Sequence, residues 1–316
     1  MSCKDPTCLQ EFKTYISEDI PPYPNPVTFW CSDVAHVTEE LGFKGIMEME
    51  HFRPPKCEFS WWDLKIKDEE IRAAEVHYME RVEKQIPKKK RPFLKEFTTS
   101  PLFNLEKSRY GNYRFTFPLS EMMQWYKDQN CAGKEPVLRV YETLIYKQEI
   151  VYTVLIHSPE YNERFEEYPL FKESECVSLS DNKLTQPLLK GSKWVYYQDG
   201  TIIWKAQAIC ETHEYKFVSQ RMRKLKSPQF YVWDQVSLVF HLPNHSKHGG
   251  GLKIPRKRLI EALEACDIDE EKNLVGLPGS QPHTERFVEA KRKVDELKRE
   301  LIKKPERRKG GRRRRR

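Results

Sequence analysis

The hydrophobic period of this chain changes near its middle, and that change limits the folds open to it. Before about residue 130 the apolar residues recur at helical spacing; after it they alternate as strands do. In the first stretch Ser32 or Asp33 caps a short predicted helix with Val34, Val37 and Leu41 on one face, stopped by Gly42. Asp68 caps a clearer one, with Ile71, Ala74, Tyr78 and Val82 in register until Pro87 ends it. A third, over 119–129, gathers Leu119, Met122, Met123 and Tyr126.

In the second stretch Val137–Tyr146 and Glu149–His157 are rich in Val, Ile, Tyr and Thr and read as a hairpin. A polar stretch over 172–193 reads as a surface insertion. A second hairpin spans Trp194–Trp204, because Asp199-Gly200 supplies the pair that a tight turn with φ > 0 needs. Strands over 213–219 and 229–242 follow, then a loop at His245–Gly251 and a helix opened by Pro255 with Leu259, Ile260 and Leu263. Helices followed by adjacent strands predict an α+β fold, a single compact domain with a mostly antiparallel sheet and flanking helices.

The expected organisation has four parts. An irregular arm covers 1–27, ending in Pro21, Pro22, Pro24 and Pro26; an α+β core covers 28–266, helix-rich over 28–130 and strand-rich over 131–245. An amphipathic helix covers 284–303, and a disordered basic tail covers 304–316. In that helix Phe287, Ala290, Val294, Leu297 and Leu301 form one stripe, with Glu289/Lys293 and Asp295/Arg299 as supporting pairs. The stripe packs on the body, pairs with a second helix, or serves a protein partner; barely two heptads argue against a coiled coil.

Charge is distributed unevenly. The chain has 55 Lys/Arg against 47 Asp/Glu, a formal net charge of +8. Residues 303–316 alone hold ten cations and one Glu, so the rest is close to neutral at −1. Attraction to phosphate is therefore expected from the tail and not from the net field of the body. Aromatics make up 12% of the residues, enough to build a core despite the high charge. No apolar run approaches the roughly 20 residues of a membrane helix, and no apolar stretch opens the chain as in a secretory leader. No membrane association is expected. Eight scattered cysteines fit reduced thiols in the cytoplasm or nucleus better than a disulfide framework.

Metal ligands, catalytic residues and basic runs carry candidate chemistry, beside one aromatic platform. Cys3, Cys8, Cys31 and His36 pair soft ligands at C-x4-C and C-x4-H spacing, with His51 and Cys57 nearby; such a set would hold zinc in an adaptor. His241, His245 and His248 are a second metal candidate, beside a glycine-rich loop. His157, Glu142, His213 and Asp234 in the strand-rich half are the residues an enzyme would use, yet no phosphate loop, nucleophile elbow or zincin motif accompanies them. No other cofactor is indicated. Phe59-Ser60-Trp61-Trp62 and Arg109–Phe115 interleave aromatic and basic residues as a stacking platform does, but also as an ordinary strand with one buried face.

The third set is cationic. Lys88, Lys89, Lys90 and Arg91, bracketed by Pro87 and Pro92, resemble a short monopartite nuclear-import signal. Arg307, Arg308, Lys309 and Arg312, Arg313, Arg314, Arg315, Arg316 resemble a second import signal or an arginine-rich nucleic-acid-binding arm. Arginine favours phosphate because its planar fork binds two oxygens at once. The expectation is a non-enzymatic interaction module, nuclear or cytoplasmic, whose basic tail contacts nucleic acid or an import receptor. The rivals are an enzyme of unstated reaction and a zinc-binding adaptor.

Overall fold

Two strands, Glu149–His157 and Asp234–His241, lie side by side and parallel, and this pairing organises the sheet around them. The computed structural model describes residues 27–54, 58–82, 106–108, 110–146, 149–168, 170–171, 195–198, 200–206, 208–210, 214–216, 222–224, 230–232, 234–243, 251–268 and 283–303. In chain order these form β1 (Val27–Cys31), β2 (Asp33–Thr38), α1 (Glu40–Met49), β3 (His51–Phe52), β4 (Phe59–Lys65), α2 (Asp68–Val82), β5 (Lys107–Ser108), β6 (Tyr113–Pro118) and α3 (Leu119–Asn130). Then come β7 (Val137–Tyr146), β8 (Glu149–His157), two 3₁₀ turns (Pro159–Tyr161 and Glu163–Phe165), β9 (Val195–Gln198) and β10 (Thr201–Ala206). Four short strands follow: β11 (Ala208–Cys210), β12 (Glu214–Lys216), β13 (Met222–Lys224) and β14 (Phe230–Val232). The rest are β15 (Asp234–His241), β16 (Leu252–Lys253), α4 (Arg256–Ala262), β17 (Leu263–Ala265), β18 (Asp267–Ile268) and α5 (His283–Lys303).

Seven strands make the central sheet in the order β17-β6-β2-β4-β15-β8-β7. Every neighbouring pair is antiparallel except β15 and β8. The fold is α+β with a mostly antiparallel sheet, as the change of period predicts. Helices and strands are interleaved over 28–130, however, and do not precede the strands as a block.

One face of the sheet carries Trp62, Leu64, Phe115, Phe117, Leu238 and Phe240 into the main core. Leu119, Met122, Met123 and Tyr126 of α3 are buried in that core, as their spacing requires, and Leu259 and Ile260 of α4 join them. Burying such side chains contributes roughly 1.5–3 kcal/mol each before entropic costs. Beside it β1, β10 and β9 form a three-stranded sheet, with Phe29 against Trp204 at 5.3 Å between ring centroids. Thr201 pairs with Gln198, so two residues close the predicted hairpin, and Gly200 has φ +77°. A side chain there would also strike Ser120 of α3, whose Cβ lies 2.7 Å from the added carbon.

The predicted helix at 33–41 is a strand instead. Residues 33–38 alternate, with Val34 on the core face and Val37 on the other, and β-branched Val34, Val37 and Thr38 suit a pleated ladder. Helix begins only at Glu40 and runs through Gly42. That glycine does not stop a helix; it admits Thr38, whose Oγ1 would lie 2.0 Å from any Cβ at this position. Phe59–Lys65 and Tyr113–Pro118 are the ordinary strands that the aromatic and basic pattern allowed, with Trp62 and Phe115 buried. Among the described residues no helix is long and apolar enough to cross a membrane.

Helix α5 docks on the body. Ala290 and Val294 are buried, and Leu297 and Leu301 pack against the core. Lys293 reaches Glu289 one turn earlier at 2.8 Å and Glu40 of α1 at 2.7 Å. The expected Asp295/Arg299 charge pair does not form; Arg299 Nε donates instead to the Asp295 backbone carbonyl at 3.1 Å.

Candidate functional site

Because β8 and β15 run parallel in register, with Phe240 opposite Ile156, their last residues, His157 and His241, fall at the same end of the sheet. Both side chains stand on the face opposite the main core, with Leu155 and Val239. Beyond His157 the chain turns sharply. Ser158 caps the first 3₁₀ turn by accepting from Glu160 N at 3.4 Å, with Pro159 fixing the entry. The two turns fold back over the strand ends, and Phe171 N bonds the Leu138 carbonyl at 2.9 Å. Phe165, Tyr161 and Tyr168 thereby cover Leu155 and Val239 in a small second core.

Arg139 of β7 holds this cover down. Its Nε donates to His157 Nε2 at 2.9 Å, and its other nitrogens donate to the Tyr168 carbonyl at 2.7 Å and Asn162 Oδ1 at 3.4 Å. Since His157 Nε2 accepts, Nδ1 carries the proton and donates to the Ser158 carbonyl at 2.8 Å. Both ring nitrogens are occupied and the residue is fully buried. Burial depresses its pKa and the charge of Arg139 adds to that, while the bond to Ser158 acts in the other direction.

His241 occupies an aromatic cage. Tyr161 and Phe165 meet its ring edge-on at 4.6 and 4.9 Å, and Phe59 lies at 5.6 Å. Its Nε2 faces Arg164 Nη1 at 3.3 Å and Glu58 Oε2 at 3.4 Å, which form their own ion pair at 2.6 Å. Nδ1 is buried without a hydrogen-bond partner among the described residues. Burial pushes the pKa of His241 down to about 4, with the charge of Arg164 assisting and the bond to Glu58 opposing. Burial alone would raise the Glu58 carboxyl, but Arg164 outweighs it and holds the group below its usual range. At neutral pH the cage therefore contains an uncharged imidazole beneath a surface ion pair. Tyr126 of α3 fixes the strand end from the other side, donating to the His241 carbonyl at 2.8 Å.

As chemistry, this cluster is a plug. His157 and His241 are both 0% exposed, so neither can meet a substrate without the cover lifting. The other residues an enzyme would use are not brought here. Asp234 pairs with Ile150, seven residues along β8 from His157 and so roughly 23 Å away at strand rise. Glu142 pairs with Thr153, four residues from His157. His213 lies outside the described residues, as do His245 and His248, while His241 ends a strand.

The zinc candidates divide similarly. Cys3, Cys8 and Cys57 lie outside the described residues. Cys31 ends β1 fully buried, and burial pushes its thiol well above the ordinary value, which disfavours the thiolate that a metal needs. His36 donates Nδ1–H to the Trp61 carbonyl at 2.9 Å, its ring 5.2 Å from both Phe52 and Trp62. His51 is held through Nδ1 by the Met49 carbonyl at 3.0 Å. Among the described residues no three His, Cys, Asp or Glu side chains gather as metal ligands.

A charged groove of about 430 Å³ opens beside β2, β4 and α4, lined by Asp33, Lys65, Lys67, Arg258, Glu261 and Glu264 among others. Its cations are already held: Lys65 by Glu264 at 2.6 Å, Lys67 by Asp33 at 2.9 Å, and Arg258 by Glu121 at 2.7 Å.

Both basic runs, Lys88–Arg91 and Arg307–Arg316, lie outside the described residues, as does Arg109. Sequence reasoning did not single out Arg139, Arg164 or Glu58. The available signal for Arg139 was a lone cation among Val137, Leu138 and Val140 in a strand. No protein-family model, curated protein or solved structure matches this chain.

Proposed function

We propose that this protein is a non-enzymatic interaction module that contacts nucleic acid through its basic tail and enters the nucleus at least part of the time. The observation that carries the reading is the partition of charge: ten cations in residues 303–316 against a net −1 for everything before them. The fold supports it in two ways. The cations lining the charged groove already hold carboxylates, so that groove adds little attraction for phosphate. Helix α5 is fixed to the body through Ala290 and Val294 and ends at Lys303, where the cationic run begins.

Replacing Arg312–Arg316 with Ala in the full chain should weaken binding to duplex and single-stranded probes alike, with little sequence preference. Phosphate contacts position a protein without specifying a sequence. Unchanged affinity would contradict the reading.

A second basic run favours import by a receptor with an acidic groove as a companion role for the same chemistry. Replacing Lys88–Arg91 and Arg312–Arg316 together should move a fluorescent fusion toward the cytosol, each run supplying part of the effect. An unaltered distribution would remove import from the account.

A further inference from the structure

Seven cations lie on α5, and among the described residues only Arg292 and Lys293 of the seven hold carboxylates. Arg292 pairs with Glu296 at 2.7 Å, and Lys293 is shared between Glu289 and Glu40. In the last two turns Lys298, Arg299 and Lys303 have no carboxylate partner among the described residues, where Arg299 donates to the Asp295 backbone carbonyl. Arg299 and Lys303 are exposed and sit one turn apart, about 6 Å along the axis, while Lys298 is half-buried beside them.

The backbone beneath these cations is held in place. Leu297 and Leu301 pack on the core from the same two turns, so the backbone that presents the cations is already ordered. Glu300 lines the groove between α1 and α5, with Met47 and Arg256. Asp295 lies one turn before Arg299 and bounds the cationic stretch on its N-terminal side. Beyond Lys303 the chain passes directly into Lys304 and the arginine run.

We infer that the last two turns of α5 form a rigid cationic ridge that seats the phosphate backbone of a nucleic-acid duplex at the root of the tail. The ridge presupposes the tail–phosphate contact proposed above. Ordering backbone on binding costs conformational freedom, and Lys298 and Arg299 stand on helical backbone that already packs on the core. A duplex is the partner that fits best, because it offers the densest row of phosphates to a fixed surface. The ridge would set where the tail starts along the groove, and the tail would supply most of the affinity.

The test uses the full chain with K298Q and R299Q together, which leaves residues 303–316 untouched. The probe is a short duplex of mixed sequence, titrated at several salt concentrations. Two fewer phosphate contacts should make the slope of log K against log salt shallower by about 1.8. Between 50 and 200 mM salt the native chain should therefore lose about twelve-fold more affinity than the variant. D295N, which removes the bounding carboxylate and no cation, should tighten binding. An unchanged slope in the double variant overturns the ridge while the steep tail-dependent slope stays in place. Loss of the tail reading would look different, as a shallow slope in the native chain itself. Weakened binding to anionic lipid vesicles with duplex binding intact would assign the two residues to a lipid surface, and would equally overturn the proposal.

Discussion

In the body, Arg139, Arg164, Arg258, Lys65 and Lys67 are each held by a named partner, whereas Lys298, Arg299 and Lys303 at the end of α5 have no carboxylate partner among the described residues. The first group fixes the fold, and neutralising its members should register as lost stability. The second is free for phosphate, and neutralising it should register as lost binding with the fold intact. Side chains of one chemical type thus have two roles, separated by what surrounds them.

The largest effect should come from the buried side of that comparison. Arg139→Met removes three hydrogen bonds and leaves His157 Nε2 and the Tyr168 carbonyl without a donor. The cost should be about 3 kcal/mol, read as a lower denaturant midpoint. A change below about 1 kcal/mol would mean that the cover over His157 does not depend on Arg139.

Acid should act on the same cluster. His241 has a folded pKa of about 4 against an ordinary 6.5, so between those values the unfolded chain binds the extra proton. Its contribution is complete above about pH 6.5 and is lost as pH falls toward 4, by roughly 3 kcal/mol in all. His157, also depressed, acts in the same direction. Stability should fall over this window in the native chain and fall less in H241F, which keeps an aromatic ring in the cage. Parallel pH profiles would show that His241 is not neutral and buried as described.

A smaller loss should follow Gly200→Val. The turn needs φ +77°, and the added carbon would meet Ser120 of α3. About 2 kcal/mol is expected, checked by thermal or denaturant unfolding. An unchanged midpoint would mean that the β9–β10 hairpin does not bear on α3.

Much of the fold was legible where a local pattern and its tertiary use agree. Leu119, Met122, Met123 and Tyr126 step at helical spacing and all four are buried. Gly200 turns where Asp-Gly predicts it. At 33–42 the pattern misled, because Val34, Val37 and Leu41 also match helical spacing and Gly42 looks like a stop. Only the packing of Thr38 against Gly42 shows what that glycine is for. The plug was illegible for a different reason. Glu58, Arg139, Arg164 and His241 are separated by scores of residues, and only the parallel pairing of β8 with β15 brings them to one sheet end. The cationic end of α5 was half legible. Its stripe and its pairs could be read, but which cations remain without a carboxylate depends on the reach of Lys293 to Glu40.

The contrast between held and unheld cations is tested most directly by the salt dependence of duplex binding in three species. These are the native chain, the chain ending at Ile302, and residues 303–316 attached to an inert carrier. If about six of the ten terminal cations meet phosphates, the carrier-bound tail should give a slope near −5 and show little sequence preference. The native chain should be at least as steep, and the chain ending at Ile302 should lose most of its affinity, with a slope no steeper than about −2. Undiminished, sequence-selective binding by the chain ending at Ile302 would contradict this and place recognition on the folded body.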